Sequence, residues 1–275
     1  MTRDVGEARG ILRHAAAGAG VFHHARIAPC TALADLVQHY WSVRWDLRGH
    51  PAQVRETLPH PNVHIVIREG NALVHGIHGS RFTTVLEGLG GAFGIKFRSG
   101  AFRALLGKPV STLRDRSLAL EGLADARMRA LSTIDPVGED DASKIAVAER
   151  ILLDLRIPRD ADALLAAEIV DAIAADRQLH TVGQLGTRCA IRTRSLQRLF
   201  NDHVGVGPKW VINRYRIHEV IGQLADGTSP DWSRLALDLG YFDQAHFIRD
   251  FKRLVGLTPS AYASIAAPRP ASERT

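Results

Sequence analysis

The sequence predicts an α+β protein of two domains, in which a small β-barrel or sandwich with flanking helices precedes an all-α domain. Three observations support this class. The chain has 275 residues, which is more than one small core accommodates. Short β-branched and aromatic runs occupy its first hundred residues, and helical periodicity occupies the remainder. The composition, 45% hydrophobic and 23% charged, is that of an ordinary globular protein and excludes global disorder.

The β-rich part is recognised by its short apolar runs and the turn residues between them. VHIVI (Val63–Ile67) follows the turn-forming LPHPN, and AFGIKF (Ala92–Phe97) follows a glycine pair. ALVHGIHG contains a further strand, with Gly76 at a bulge or at a close approach. Several strands at this spacing predict a small barrel or sandwich.

Helical periodicity begins after Arg98. Leu123–Ile134 and Ala142–Leu155 show apolar positions three and four apart, which predicts two amphipathic helices. Their apolar faces need burying, so we expect them to supply a dimer contact. Pro158 ends the second helix, and every later segment has helical character, which places the domain boundary near residue 160. The predicted segments are a flexible lead-in (1–20), a β-rich sensor domain (21–120), a helical dimerisation and linker region (121–160), an all-α domain (161–265) and a disordered tail (266–275).

Charge and cysteine content narrow the functional classes. The net charge of +6 and the pI of about 9.7 permit a polyanionic partner. Positive charge is concentrated between residues 188 and 216, where only Asp202 opposes it. The two cysteines, Cys30 and Cys189, belong to no zinc spacing and predict no disulfide scaffold, which favours a reducing cytoplasm. The N-terminus lacks a signal-peptide pattern and no apolar run reaches about 18 residues, so we expect a soluble protein without a membrane partner.

The helical half contains a near-repeat. In the helices that open the two units, Leu185 matches Leu235 at an offset of fifty; in the helices that follow, Phe200 matches Phe251 at an offset of fifty-one. Each unit reads as helix, tight turn, helix and Gly-x-x-Pro, and a long helix (Pro208–Asp226) joins them. This order predicts two helix-turn-helix units, whose second helices enter the DNA major groove.

The segment from about Ala161 to Ala263 resembles the DNA-binding domain of AraC/XylS-type transcriptional regulators. The residues that carry the resemblance are Gly240, Tyr241, Asp243, Gln244, His246, Phe247, Arg249, Phe251, Lys252, Gly256, Thr258, Pro259 and Tyr262 in the second unit, and Leu196, Gln197, Arg198, Phe200, Gly205 and Pro208 in the first. Ala190 stands where the family usually has glycine, and Arg192 where an N-capping serine is common, which predicts a less well capped first turn.

The N-terminal half carries a second resemblance. WSVRWDL, LPHPNVHIVI and FGIKFRSGAFRALLG are similar to a domain found in a subset of these bacterial regulators. In other members the same position holds a cupin-like domain that senses a ligand and mediates dimerisation. By analogy we expect a cupin-like sensor domain here.

The resemblance implies a sequence-specific transcriptional regulator that reads successive major grooves about one turn (~34 Å) apart. The expected base-reading residues are Thr193, Arg194, Gln197 and Arg198 on the first recognition helix, and Gln244, Ala245, His246 and Arg249 on the second. Lys209, Arg214, Lys252 and Arg253 suit phosphate contacts. The alternative for His246 is packing against Tyr241. The expected partners are double-stranded promoter or operator DNA, a second copy in a homodimer, an effector of unknown identity and, as a further candidate, RNA polymerase.

The N-terminal half suggests a ligand pocket. Trp41, Trp45, His64 and His75 are the candidate lining residues. His60, His64, His75 and His78 fall within twenty residues, but the strand alternation does not predict that they converge, so we expect no metal site.

Two other functional classes stay open. One is a cupin-like metal-dependent enzyme, which requires converging ligands and an acid or base in the barrel. The other is an alkylation-responsive regulator that uses Cys30, although the multi-cysteine zinc setting of such proteins is missing. No serine or cysteine nucleophile motif, phosphate loop or paired carboxylate stands out, and we therefore expect a regulator without catalytic residues or cofactor.

Overall fold

The computed structural model describes Val5, Leu12, residues 20–225 and residues 231–266. Most of the predicted flexible lead-in and nearly all of the predicted disordered tail lie outside the described residues, as does Asp226 at the predicted end of the joining helix. Among the described residues, no helix combines the length and the hydropathy that crossing a membrane would require.

The N-terminal half is built from antiparallel strands. They are β1 (Val21–Ile27), β2 (Val37–Asp46), β3 (Gln53–Thr57), β4 (His64–Arg68), β5 (Asn71–His75), β6 (Phe82–Leu86), β7 (Leu89–Phe97) and β8 (Ser117–Ala119). Six of them form one sheet in the order β1-β2-β7-β4-β5-β8, and β3 pairs with β6 in a second sheet. The β-rich half and the α+β two-domain class are thereby confirmed.

Strand β4 shows why the large sheet has two different faces. Ile65 and Ile67 are fully buried in the main core, whereas the alternate residues Val66 and Arg68 are only partly buried. Side chains alternate along a strand, so this pattern assigns one face to the helices and the other to the β3–β6 pair. The β3–β6 pair covers that second face, because Leu86 shares a hydrophobic cluster with Trp45.

Glycines permit two close approaches in this domain. A Cβ atom at Gly76 would lie 1.9 Å from the Leu113 carbonyl oxygen, which confirms the close approach, one of the two alternatives predicted there. A Cβ atom at Gly94 would lie 2.0 Å from Trp41 Cε2. The Trp41 ring therefore rests directly on the backbone of the neighbouring strand.

Nine α-helices lie within the described residues. They are α1 (Arg103–Leu106), α2 (Asp141–Asp154), α3 (Ala161–Ala175), α4 (Val182–Cys189), α5 (Thr193–Leu199), α6 (Pro208–Ala225), α7 (Trp232–Asp238), α8 (Gln244–Val255) and α9 (Pro259–Ala266). Short 3-10 segments span Thr31–Leu33, Val110–Leu113, Leu120–Gly122 and Ala126–Thr133, and α5 continues into a π-helical turn, Phe200–Val204.

The interpretation of the 121–160 region needs a correction. The amphipathic helix predicted at Leu123–Ile134 is a 3-10 segment, Ala126–Thr133. Met128 and Leu131 are fully buried in the main core of the same chain, and so is the apolar face of α2, including Ala148. The faces that suggested a dimer contact are covered within the chain, which removes the reason for placing the contact there.

A buried arginine fixes the joining helix to the rest of the chain. Arg216 on α6 is fully buried and donates to the carbonyl oxygens of Ile173 (2.8 Å) and Asp176 (2.7 Å) at the end of α3. It also pairs with Glu219 at 2.6 Å. A cation at a helix C-terminus satisfies carbonyls that have no partner in the helix, so α3 and α6 are held in one orientation.

Candidate nucleic-acid interface

Both repeat units turn in the same way. Ala190 after α4 and Gly240 after α7 adopt left-handed backbone conformations, with φ of 54° and 73°. In the first turn the Ile191 N–H donates to the Gly186 carbonyl (3.0 Å), and in the second the Tyr241 N–H donates to the Ala236 carbonyl (3.0 Å). This six-to-one hydrogen bond ends a helix and redirects the chain. The two turns are therefore structural repeats as well as sequence repeats.

The starts of the two recognition helices, α5 and α8, differ. Asp243 caps α8, accepting from the His246 N–H at 2.6 Å. Arg192 occupies the matching position before α5 and makes no side-chain capping bond. The less well capped first turn predicted from Arg192 is thus confirmed.

Buried side chains anchor each recognition helix. Leu196 and Phe200 in the first unit, and Phe247 and Phe251 in the second, are all 0% exposed. The Phe247 ring lies 5.8 Å from the Phe251 ring and 5.4 Å from the Tyr241 ring, each with edge-on geometry. Such anchoring holds the opposite face of the helix in a defined position.

The opposite faces of both helices are exposed. Seven of the eight predicted base-reading residues lie at the surface: Thr193, Arg194, Gln197, Arg198, Ala245, His246 and Arg249. The eighth, Gln244, is partly buried and accepts from the Ser233 hydroxyl at 3.0 Å. The His246 ring contacts Tyr241 edge-on at 5.2 Å while the residue stays exposed, so packing and surface exposure coexist there. The three exposed arginines of these faces are Arg194, Arg198 and Arg249. None of them forms an ion pair with a carboxylate in the described part of the chain.

Three of the four predicted phosphate-contacting residues lie at the surface. Lys209 is exposed and donates to the His180 carbonyl at 3.0 Å. Lys252 and Arg253 lie at the end of α8, and Arg253 pairs with Asp250 at 2.6 Å.

Arg214 departs from the prediction. Its side chain is 1% exposed and its guanidinium lies 4.8 Å from the centre of the Trp210 ring, without a hydrogen bond in the described residues. Burial lowers the pKa of Arg214 to about 10. A buried guanidinium cannot contact a phosphate, and the assignment of Arg214 as a phosphate contact is therefore wrong for this structure. Helical spacing on α6 alone did not reveal that this face turns inward.

The predicted pocket residues share one face of the large sheet. Trp41 and Trp45 lie on β2, and His64 and His75 are paired neighbours on β4 and β5. The Trp41 Nε1–H donates to His64 Nδ1 at 3.3 Å, whereas Trp45 is buried and donates to the Glu87 carbonyl at 3.1 Å.

The histidines converge more than the strand alternation predicted. His64 is paired with His75, and the His75 ring lies 6.4 Å from the His78 ring. His60 is separate and stacks on His218 at 4.4 Å. In the described residues, no group of three or more histidine, cysteine or acidic side chains is arranged to hold a metal ion.

Sequence reasoning missed Lys96 on this face. Lys96 is 6% exposed and is paired in register with both His39 and His64. The available signal was a lysine inside the apolar run AFGIKF, which is unusual because lysine is almost never fully buried without a partner.

Comparisons with known proteins agree with the division of the chain into two halves. Residues 185–264 match the family model of a helix-turn-helix domain, and residues 25–119 match that of a domain of unknown function, DUF6597. A Streptomyces antibioticus protein named as an AraC-like transcription regulator is 32% identical over 82 residues, which is 30% of this chain and 27% of that protein. The chain thus spans about a quarter of the length of that relative. The helix-turn-helix domain and its AraC-type resemblance are confirmed.

Solved structures give looser matches. ToxT from Vibrio cholerae aligns over 90% of this chain and 99% of its own, at 12% identity and a TM-score of 0.39. The C-terminal domain of AraT, a response regulator from Geobacillus stearothermophilus, aligns over 39% of this chain and 93% of its own, at 18% identity and a TM-score of 0.34.

Proposed function

We propose that this chain, which carries an AraC-type helix-turn-helix domain over residues 185–264, is a sequence-specific DNA-binding transcriptional regulator. The observation that carries the proposal is the pair of anchored recognition helices, each with an exposed polar face. The first exposes Arg194, Gln197 and Arg198, and the second exposes Ala245, His246 and Arg249. Arginine bridges the O6 and N7 atoms of guanine, and glutamine pairs with adenine. Two such helices reading successive major grooves would contact half-sites about one helical turn apart.

The contacts divide into two kinds. Arg194 and Arg249 lie within the first two turns of α5 and α8 without carboxylate partners, which leaves their guanidinium groups available for base edges. Lys209 and Lys252 are exposed and suit the phosphates, which fix position without reading sequence. In this division the arginines set specificity and the lysines set salt dependence.

The N-terminal domain is suited to control the two recognition helices because it contacts both helix-turn-helix units. A Cβ atom at Gly205, which follows the first recognition helix, would lie 3.1 Å from Ile77 Cδ1. A Cβ atom at Gly256, which follows the second, would lie 2.2 Å from Arg81 Nη1. Ile77 and Arg81 belong to one connection, between β5 and β6. A change at the sensor sheet would therefore reach both recognition helices through one segment.

The test is selection of the intact protein on random duplex DNA at two salt concentrations. We expect a motif with two half-sites about one helical turn apart. Arg194→Ala and Arg249→Ala should each relax one base position, in different half-sites, at a cost of about 1–3 kcal/mol. Lys252→Ala should weaken all sequences equally and reduce the salt slope by about one.

A matched control separates base reading from bulk charge. Arg159 in the linker has an 85% exposed side chain that lies 3.2 Å from Asp35, far from the recognition helices in sequence. Arg159→Ala removes the same charge and should leave the selected motif unchanged. Sequence-blind binding by the wild type at both salt concentrations would contradict the proposal. The cytoplasm as the site of action, the homodimer and contact with RNA polymerase remain part of the proposal.

A further inference from the structure

The second helix-turn-helix unit has one residue more in its turn than the first. Up to the turn the two units correspond at an offset of fifty, since Tyr241 repeats the hydrogen bond that Ile191 makes. After the turn the offset is fifty-one, since Asp243 and Arg192 occupy the same position before α8 and α5. Phe242 is therefore the residue of the second turn that has no counterpart in the first.

The extra residue is not used in packing. Phe242 is 87% exposed, the highest value for a large hydrophobic residue in the described part of the chain, and it joins none of the hydrophobic clusters found there. Its neighbour Tyr241 is 6% exposed. Single exposed apolar residues are common on protein surfaces, so the position of this ring decides what it can do.

The backbone on both sides of Phe242 is tied to the recognition helix α8. Before it, the hydroxyl group of the buried Tyr241 donates to the Asp250 carboxylate at 2.8 Å. After it, the Asp243 carboxylate accepts from the His246 N–H at 2.6 Å. Phe242 is thus held between two anchored residues, and placing its ring against a partner surface costs little additional ordering.

Phe242 also adjoins the residues that are expected to read bases. Consecutive Cα atoms are about 3.8 Å apart, so the Cα atoms of Phe242 and Gln244 lie within about 8 Å of each other. Ala245 and His246, the next two residues of α8, are exposed. The N-terminal residues of a recognition helix contact base edges, and base pairs are stacked about 3.4 Å apart. The ring therefore lies within about two base pairs of the positions that α8 reads.

The chemistry of a phenylalanine ring limits what it can recognise at this place. It has no group that donates to a phosphate or to a polar base edge, and the C5-methyl group of thymine is the apolar feature that the major groove offers. A protein partner offers apolar surface too, but a specific interface buries about 800 Å² on each side. One aromatic side chain supplies about 150–250 Å². The isolated ring of Phe242 fits a thymine methyl group better than a protein surface.

We propose that Phe242 contacts the C5-methyl group of a thymine in the half-site of the second unit and thereby sets a thymine preference there. The inference rests on the proposed function, because it requires α8 to lie in a major groove. The first unit has no residue at the corresponding point of its turn, since Arg192 follows Ile191 directly. The two half-sites therefore differ at this position, which orients the protein on its site.

The experiment starts from the site that the intact protein selects on random duplex DNA. The half-site of the second unit is the one in which Arg249→Ala relaxes a position. Each thymine of that half-site is replaced in turn by deoxyuridine, which removes the methyl group and keeps the polar edges of the base. We expect one replacement to weaken wild-type binding about fourfold, the effect of one buried methyl group. Phe242→Ala should bind the two duplexes equally and should select a motif without a thymine preference at that position.

Two controls make the methyl contact specific. With 5-methylcytosine in place of that thymine, the wild type should bind more tightly than to unmethylated cytosine, whereas Phe242→Ala should not distinguish them. Leu237→Ala truncates another exposed large apolar residue of the same unit, 63% exposed, and should keep the wild-type response to deoxyuridine. Because the side chain of Phe242 is exposed, Phe242→Ala should leave the melting temperature unchanged, so a loss of selectivity does not reflect unfolding.

The possible outcomes separate this inference from the proposed function. The same deoxyuridine response in the wild type and in Phe242→Ala would overturn the thymine contact and leave the regulator proposal intact. Equal weakening of all sequences by Phe242→Ala would assign the ring to the sugar–phosphate backbone and would also overturn it. Wild-type DNA binding by Phe242→Ala, with loss of transcription from the selected site in a reconstituted reaction, would assign the ring to a protein partner instead. Sequence-blind binding by the wild type would refute the proposed function, and this contact with it.

Discussion

The two helix-turn-helix units have the same order of elements but are stabilised differently. The first unit has an alanine in the left-handed turn and no side-chain cap on its recognition helix, whereas the second has a glycine and an aspartate cap. The first unit compensates through tertiary packing: Leu196 and Phe200 belong to one buried cluster with Phe97 of the large sheet. Local sequence chemistry therefore stabilises the second unit, and packing against the N-terminal domain stabilises the first.

The core of the second unit is largely its own. Phe247, Phe251 and Tyr262 form a separate cluster, to which the N-terminal half contributes Leu12 and Leu58. The first unit continues the main core, while the second forms a separate cluster. We infer that the first unit shares the stability of the N-terminal domain and that the second can unfold or reorient by itself.

The contacts at the two recognition-helix ends show the same contrast. Gly205 lies against apolar side chains, Ile77 and Val110. Gly256 lies against Arg81, whose Nε pairs with Glu56 at 2.6 Å. Separating the polar contact exposes groups that water can solvate, whereas separating the apolar one exposes hydrocarbon. The contact of the second recognition helix with the N-terminal domain is therefore the easier of the two to separate in water.

Truncating one core phenylalanine in each unit should give the largest effects. Phe200→Ala and Phe251→Ala each remove a fully buried ring and should each cost about 3–5 kcal/mol. Phe200→Ala should destabilise the N-terminal domain as well, because they share a core. Phe251→Ala should unfold the second unit at a lower temperature while the remainder keeps its wild-type transition. Calorimetry combined with hydrogen exchange over residues 232–264 distinguishes the two results.

Leu237→Ala on α7 is the control for these substitutions. Leu237 is 63% exposed, so its truncation should change stability by less than about 0.5 kcal/mol. A single cooperative transition in all three variants would show that the two units are not energetically separate, contrary to the comparison above.

Exchanging the turn residues should give effects of intermediate size. Ala190→Gly relieves a left-handed alanine and should stabilise the first unit by about 0.5–1 kcal/mol. Gly240→Ala places a Cβ atom in the left-handed region and 2.8 Å from His180 Cβ, and should cost about 1–3 kcal/mol. Chemical denaturation measures both. A stabilising Gly240→Ala would show that the second turn does not depend on its glycine.

The sequence predicted the second helix-turn-helix unit better than the N-terminal domain, and the reason is physical. Turn glycines, caps and the phenylalanine spacing act over a few residues, so they are visible in the sequence. The inward orientation of Arg214 and the pairing of His64 with His75 depend on helix packing and strand register, which involve residues far apart in the chain. Periodicity correctly indicated that Met128 and Leu131 are buried, but it could not show that they pack in their own chain.

Exchanging the caps should give the smallest effect and the most direct comparison. Asp243→Ala removes the acceptor for the His246 N–H and should cost about 1 kcal/mol in the second unit. Arg192→Ser should supply the missing acceptor to α5 and stabilise the first unit by up to about 1 kcal/mol. The gain in global stability from Arg192→Ser should be smaller than the loss from Asp243→Ala, because tertiary packing already holds α5 in place. Hydrogen exchange at the first turn of each recognition helix measures both. If Arg192→Ser slowed exchange throughout the N-terminal domain, the cap and not the shared core would be limiting the first unit, and the contrast between the units would reduce to their turns.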